Sequence, residues 1–259
     1  MKIIGVIPAR MASSRFPGKP LAKILGIPMI GHVYFRSKMA DVLDGVYVAT
    51  CDKEIEEYIE SIGGKAIMTS DKHERASDRT TEAVLKIEKE IGQRADITVM
   101  IQGDEPMVMP EMIEMAVQPM LKDESVLVVN LMAPIRTHKE HEDPNEIKVV
   151  VDKDNYALYF SREPIPSREK GATEVPMLKQ VCIIPFRRDF LIEFSRLEPT
   201  PLEKVESIDM LRILEHGYKV KMVLANFRTY SVDTPEDLRF VEGLMKKDPL
   251  ASKYSETNK

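Results

Sequence analysis

Along most of the 259-residue chain, short apolar runs rich in Val and Ile alternate with longer amphipathic stretches. This alternation constrains the fold more than any other feature, because it is the pattern of strands alternating with crossover helices around a mostly parallel sheet. Strands are predicted at Lys2–Ile7, Gly45–Ala49, Lys65–Thr69, Ile97–Gln102, Val126–Met132 and Lys219–Ala225. Helical spacing of apolar residues predicts helices at Met29–Ala40, Lys53–Ile62, Ser77–Ile91, Pro110–Leu121 and Leu202–His216. Gly63 and Gly64 are placed to end the second of these.

Between residues 133 and 200 the rhythm changes. Glu146–Asp152, Tyr156–Ser161 and Gln180–Arg187 read as strands with no long helix between them, an antiparallel insertion on the main sheet. The segment from Glu163 to Met177 carries three prolines and several charges, the composition of a mobile loop or lid. The organisation expected is an α/β core at 1–132, an antiparallel insertion at 133–200, a return to the core at 201–248 and a flexible tail at 249–259.

Composition narrows the class. With 43% hydrophobic and 31% charged residues the chain is an ordinary globular one, able to bury a sizeable core. Its net charge of −5, with no basic block, argues against nucleic acid as a partner. No stretch approaches the ~18 apolar residues of a membrane span, and no signal-peptide pattern is evident. The two cysteines, Cys51 and Cys182, are too few for a disulfide framework or a zinc cluster, which fits a reduced, cytoplasmic setting.

Three segments carry chemistry. The first strand runs into Pro8-Ala9-Arg10-Met11-Ala12-Ser13-Ser14-Arg15-Phe16-Pro17-Gly18-Lys19-Pro20. Small residues let such a backbone approach a polyanion, while Arg10, Arg15 and Lys19 can neutralise phosphate oxygens. The spacing is neither that of a Walker A loop nor that of GxGxxG, and a solvated basic turn is the competing reading. Further on, the strand at Val99–Gln102 ends in Gly103-Asp104-Glu105-Pro106. Ligands in open α/β sheets sit beyond the carboxyl ends of strands, so Asp104 is placed where a metal would meet a phosphate, unless it simply caps a turn. Magnesium favours one or two carboxylates plus phosphate oxygens, which calls for a second acid. Asp233 is the candidate, since Thr234, Pro235 and Asp237 are absorbed by a helix start; an extra charge at a helix terminus is the alternative.

Taken together, IPARMASSRFPGKPL, ATCD (49–52), MTSDKH (68–73), QGDEP (102–106), ALYFSR (157–162) and VDTPEDL (232–238) lie in one order. That order resembles the 3-deoxy-D-manno-octulosonate (Kdo) cytidylyltransferases, or CMP-Kdo synthetases, over nearly the whole chain. The resemblance implies a Rossmann-like nucleotidyltransferase fold with helices on both faces of the sheet, and a homodimer, with the 133–200 insertion serving sugar binding and dimerisation. It implies that CTP and a 2-keto-3-deoxy acidic sugar become CMP-sugar and pyrophosphate with Mg2+, in the service of cell-surface lipopolysaccharide or polysaccharide synthesis. Matched by position, Arg10, Lys19, Asp104 and Asp233 would be catalytic, and Asp104 and Asp233 would carry metal. Pro8, Ala9, Arg10, Ser13, Arg15, Lys19, Ser77, Arg79, Gln102 and Asp104 would bind the nucleotide, and Gln102, Arg162, Gln180, Glu206 and Asp209 the sugar.

Two departures stand out. Where the family reads Ser-Gly-Thr-Glu-Arg at the cytosine end, this chain reads Arg75-Ala76-Ser77-Asp78-Arg79, which replaces the glycine. Where the family strand reads His-Leu-Gly-Ile-Tyr-Gly-Tyr-Arg, this chain has Gln180-Val181-Cys182-Ile183-Ile184-Pro185-Phe186-Arg187. Loss of the His and both Tyr hydroxyls leaves a less polar pocket that would suit a different acid. Glu206 and Asp209, three residues apart, are expected on one side of a single helix. The competing functions are a paralogue activating another acidic sugar or anionic alcohol, and a nucleotide-binding protein without catalysis.

Overall fold

The computed structural model describes residues 1–12, 15–167, 171 and 175–255. The chain forms two compact units, Met1–Glu114 with Thr229–Lys259, and Met115–Arg228. The first opens with β1 (Ile3–Pro8), every residue of which is buried. A strand without a polar face needs cover on both sides, the situation of an inner strand in a parallel sheet. After a 3-10 turn at Lys19–Leu21 come a small hairpin, β2 (Lys23–Ile24) and β3 (Ile27–Pro28), and then α1 (Met29–Ser37), β4 (Gly45–Thr50) and α2 (Lys53–Ser61). The unit continues through β5 (Ala66–Met68), α3 (Ala76–Ile91) and β6 (Ile97–Ile101). Within this unit the strand order is β6-β1-β4-β5, all parallel, with Ile4 opposite both Gly45 and Thr98. The carboxyl ends of β1 and β6 therefore stand side by side. Gly63, at φ 72°, and Gly64 close α2: their N–H groups bond to the carbonyls of Glu60 (3.0 Å) and Ile59 (2.8 Å), the paired bonds that satisfy a helix C-terminus.

The chain enters the second unit within α4 (Pro110–Lys122). There β7 (Val129–Pro134), α5 (His138–Glu142), β8 (Lys148–Val151), β9 (Ala157–Ser161) and β10 (Leu178–Val181) are followed by β11 (Ile183–Arg187) and α6 (Arg188–Phe194). Next come α7 (Pro201–Glu206), α8 (Asp209–Glu215) and β12 (Lys221–Leu224). The sheet order is β12-β7-β10-β8-β9, antiparallel except for the β12–β7 pair. That pair sets Lys221 opposite Val129 and holds the segment after 200 with the insertion. The expected boundaries at 132 and 201 accordingly fall inside one unit. The single strand expected at Gln180–Arg187 is two, broken at Cys182, with Phe186 bridged to Val128. The single helix expected at Leu202–His216 is also two, because Ser207 adopts a left-handed conformation, φ 54°. Part of the expected lid, 168–170 and 172–174, and the end of the expected tail, 256–259, lie outside the described residues. Among the described residues no helix is long and apolar enough to cross a membrane.

The chain returns to the first unit with α9 (Pro235–Met245) and α10 (Pro249–Ser255). The flexible tail expected from 249 is corrected here, because its polar composition hides two apolar anchors. Ala251 and Tyr254 are buried with Ile24, Met29, Val232, Val241 and Met245. The Tyr254 hydroxyl reaches His32 Nδ1 (2.8 Å) and accepts from Arg36 Nε (3.1 Å), while Arg36 forms an ion pair with Asp248. His32 Nε2 donates to the Ile24 carbonyl at 2.8 Å, which leaves Nδ1 as the acceptor for the tyrosine proton.

Burial, opposed by the Ile24 hydrogen bond and reinforced by the Arg36 charge, pushes the His32 imidazole down from 6.5 to about 4. The unfolded chain therefore takes up this proton first as the pH falls. The His32 contribution is fully present above pH 6.5 and is lost as the pH drops through about 4, by about 3 kcal/mol. Urea unfolding across that window is expected to show this slope, and His32→Gln, which does not titrate there, is expected to flatten it.

Candidate active site

The site belongs to the first unit and starts where β1 ends. Ala9 N–H bonds to the Ala49 carbonyl (2.9 Å), and Met11 N–H donates to Asp52 Oδ2 (2.7 Å). The loop closes on itself where Gly18 N–H meets the Met11 carbonyl (3.0 Å), with Gly18 left-handed at φ 74°. Asp52, the last residue of ATCD, thus pins the basic loop through its backbone. The 3-10 turn that follows presents Lys19. From the other side, β6 runs into Gly103, where an added Cβ would lie 3.1 Å from the Pro8 carbonyl oxygen and 3.2 Å from Ile30 Cδ1. Only a small residue lets the end of β6 lie this near the end of β1, and that closeness sets Asp104 beside Lys19.

Asp233 arrives from the far end of the chain. Val232 N–H bonds to the Asp104 carbonyl (2.9 Å), and Thr234 and Asp237 form a reciprocal capping box at the start of α9. The Asp233 backbone N–H also goes to Asp237 Oδ2 (3.0 Å). The helix start is satisfied by its neighbours, as the sequence implies, and the Asp233 carboxylate serves the loop instead. Lys19 Nζ bonds to Asp104 Oδ2 (3.0 Å) and Asp233 Oδ1 (3.2 Å), and an Arg15 NH2 nitrogen reaches the same Asp233 oxygen at 3.0 Å. Three segments distant in sequence therefore converge on one ammonium.

Around this cluster lies a cavity of about 340 Å3. Pro8, Ala9, Arg10, Arg15, Lys19, Arg79, Gln102, Asp104 and Asp233 all line it, together with Ala76, the residue that stands in for the family glycine. The basic side chains on its wall, Arg10, Arg15, Lys19, Arg75 and Arg79, outnumber the acidic ones, Glu74, Asp104 and Asp233. A polyanion is the complementary ligand for such a cavity. Arg79 is almost fully buried and gives one nitrogen to Thr69 Oγ1 (2.5 Å), while its other terminal nitrogen has no partner among the described residues. An unmatched buried donor favours a ligand that brings an acceptor. Ser77 is placed differently from the expectation: it is buried in the first turn of α3, off the cavity wall. Ser13 lies outside the described residues.

Sequence reasoning missed His73. It lines the cavity, and its Nε2 contacts Glu82. Burial alone would raise the Glu82 carboxyl, but hydrogen bonds from Lys86, the Ser70 N–H and His73 hold it down at about 2. An ionised Glu82 fixes one nitrogen of the ring and leaves the other for a ligand. The signal lay in the nine-residue offset to Glu82 on α3, which has no meaning until α3 folds back beside the 68–73 segment.

The remaining expected residues belong to the second unit. Arg162 is clamped by backbone carbonyls: Nε donates to Glu206 O (2.7 Å), and one NH1 donates to Pro144 O (2.8 Å). The Glu206 carboxylate accepts from Ser161 Oγ (2.7 Å), the Arg162 N–H (2.8 Å) and Tyr159 OH (3.3 Å). These bonds outweigh burial and hold its carboxyl below the usual range. Glu206 ends α7 and Asp209 begins α8, so the shared helical face expected for them is corrected by the break at Ser207. Gln180 Nε2 donates to the side-chain oxygen of the buried Asn130 (2.6 Å). Ile184 and Phe186 are core residues, with Phe186 stacked on Phe194 at 5.9 Å between centroids.

A parallel sheet with a basic loop after its first strand, and two carboxylates brought to that loop, define a nucleotidyltransferase. The comparisons specify it further. The cytidylyltransferase family matches residues 4–222. The 3-deoxy-manno-octulosonate cytidylyltransferase of Geotalea uraniireducens (strain Rf4) is 42% identical over 95% of this chain and 100% of its own length. That of Syntrophobacter fumaroxidans (strain DSM 10017 / MPOB) is 44% identical over 97% and 100%, and the mitochondrial one of Arabidopsis thaliana 40% over 95% and 84%. Among solved structures, a CMP:2-keto-3-deoxy-manno-octonic acid synthetase complexed with CTP superposes with a TM-score of 0.88 at 40% identity, covering 96% of this chain and 100% of that one. A 4-diphosphocytidyl-2C-methyl-D-erythritol synthase from Anaerococcus prevotii DSM 20548, at TM-score 0.60 and 14% identity over 95% and 99%, shares the fold. The chain belongs to the cytidylyltransferase family, among the 3-deoxy-manno-octulosonate cytidylyltransferases.

Asp52→Ala removes the charged acceptor that holds Met11 N–H. The loss of about 1.4 kcal/mol locally is expected to speed hydrogen exchange at the loop amides around Met11 about tenfold. Exchange within α3 should be unchanged.

Proposed function

We propose that this chain transfers the cytidylyl group of CTP to the anomeric hydroxyl of 3-deoxy-manno-octulosonate, giving the CMP-sugar and pyrophosphate. The observation that carries this reading is the convergence of Asp104 and Asp233 on Lys19 on the wall of a predominantly basic cavity. In the reaction the sugar oxygen forms a bond to the α-phosphorus, the bond from that phosphorus to the β-phosphate bridge oxygen breaks, and pyrophosphate leaves with that electron pair. The hydroxyl proton passes to solvent. Little covalent chemistry falls to the protein, so rate comes from positioning and from neutralising charge on the phosphates. Arg10, Arg15 and Lys19 bind and orient the triphosphate. Arg79, with its unmatched buried nitrogen, and His73, held by Glu82, face the nucleoside end of the cavity.

The donor set fits Mg2+. Two carboxylates within reach of one ammonium already mark a point where positive charge is stabilised, and a magnesium ion needs one or two carboxylates with phosphate oxygens completing its shell. Asp104 and Asp233 would hold it, and when bound it would neutralise the phosphates and lower the pKa of the attacking hydroxyl. Gln102, on the cavity wall beside Asp104, orients the acceptor sugar near the α-phosphate. In the second unit, taken by itself, Arg162 and Glu206 brace each other.

The departure from the family strand carries no second substrate by itself. The positions where the family motif carries two Tyr hydroxyls are Ile184 and Phe186, both buried in an apolar core. Purified protein offered CTP, Mg2+ and a panel of ulosonic acids, with pyrophosphate release followed, is expected to turn over 3-deoxy-manno-octulosonate fastest. Turnover with another acid alone would move the chain to a paralogous specificity, and CTP binding without pyrophosphate from any acid would make it a binding protein. Asp104→Asn or Asp233→Asn is expected to lower kcat about a thousandfold while changing metal-free CTP affinity less than about tenfold. An unchanged rate in either variant removes that residue from the mechanism.

A further inference from the structure

We propose that the C-terminal helix α10 is a positioning element for the Lys19–Asp104–Asp233 cluster, acting through Tyr254. The inference rests on the cytidylyltransferase reading of that cluster and adds a residue that none of the motifs contains.

Tyr254 is the hub of a buried polar network in the first unit. Its hydroxyl is 2.8 Å from His32 Nδ1, and His32 Nε2 donates to the Ile24 carbonyl at 2.8 Å. Ile24 belongs to the hairpin that begins two residues after the Lys19 turn. The Ala22 N–H bonds back to the Lys19 carbonyl (3.1 Å), and Met29 N–H bonds to the Ala22 carbonyl (2.8 Å). The tyrosine thus reaches the backbone of the turn that presents Lys19 through one side chain and a few short bonds. Its ring also stacks on Phe35 with centroids 5.3 Å apart, and Arg36 Nε donates to its hydroxyl while the same guanidinium pairs with Asp248.

The second connection is through packing. Tyr254 and Ala251 share one apolar cluster with Ile24 and Met29 on the loop side and with Val232 on the Asp233 side. Met29 also lines the cavity, and Val232 N–H is bonded to the Asp104 carbonyl (2.9 Å). The backbones that carry Lys19, Asp104 and Asp233 therefore rest on a core that α10 completes. Side chains packed at crystal-like density pass a displacement on instead of absorbing it. An ammonium shared by two carboxylates at 3.0 and 3.2 Å is sensitive to small shifts of any one of the three backbones.

The test compares Tyr254→Phe, which keeps the stacked ring and removes only the hydroxyl, with a chain ending at Asp248. Ile59→Val, a buried change in α2 away from this network, is the control for ordinary loss of stability. Each protein is assayed well below its melting temperature for turnover against Mg2+ concentration, and by calorimetry for CTP affinity with and without Mg2+. Tyr254→Phe is expected to lower kcat about tenfold, and the shortened chain about a hundredfold, the scale of a misplaced catalytic group. Both should need several-fold more Mg2+ for half-maximal rate and show a smaller Mg2+-dependent gain in CTP affinity, whereas Ile59→Val should lower the melting temperature alone. If the shortened chain does not fold, Tyr254→Phe decides. Melting temperatures that fall with unchanged turnover and unchanged Mg2+ requirement would reduce α10 to a stabilising element and overturn the proposal. Absence of turnover in the unmodified protein would instead defeat the functional reading, and the calorimetric comparison would still judge the role of Tyr254.

Discussion

The Lys19 ammonium lies between two carboxylates, Asp104 and Asp233, that stand 85 and 214 residues away along the chain. Two acids this close would repel one another, and partial burial makes water a poor screen between them. The shared cation, with Arg15 on the Asp233 oxygen, resolves that conflict. Much of the first unit can be understood as the means of bringing three backbones to this point. The parallel register aligns the ends of β1 and β6, Gly103 lets them approach, and the capping box at Thr234 leaves the Asp233 carboxylate available to the loop.

Function follows from the same conflict. On the proposed reading, the two carboxylates, offset here by Lys19 and Arg15, would take a cation when a polyanion arrives, and the basic side chains would meet its phosphates. The surrounding arginines make the cavity predominantly basic although the chain as a whole carries a charge of −5. Local field and net charge are independent quantities here. The unmatched nitrogen of Arg79 and the Glu82-anchored ring of His73 add directional polar groups to that field.

Stability and site geometry share components. The polar network of His32, Arg36, Asp248 and Tyr254 is buried and interlocked. Networks of this kind are costly unless nearly every member is satisfied, and they then hold one arrangement in preference to others. Here the arrangement held is the seat of the hairpin, next to the Lys19 turn, and of Val232, next to Asp233 and bonded to the Asp104 carbonyl. The neutral state of His32 belongs to this arrangement, because a second ring proton would meet a tyrosine oxygen that already accepts from Arg36.

Local physics was legible in the residues. The wholly apolar β1, the β6 run interrupted only by Thr98, the glycines closing α2, the Thr-Pro-x-Asp start of α9 and the clustering of Arg10, Arg15 and Lys19 on one loop each follow from short-range rules of burial, backbone freedom and charge. Tertiary structure decided what depends on partners far along the chain. It broke the helix at Ser207 and separated Glu206 from Asp209, moved Ser77 off the cavity wall, brought Glu82 to His73 and Asp52 to the Met11 N–H, and turned an apparent polar tail into α10. The reason is common to all of these. Periodicity and capping are set within a turn or two of the chain, whereas the pairing of a carboxylate, the burial of a tyrosine hydroxyl and the outline of a cavity are set by neighbours that only the folded chain supplies.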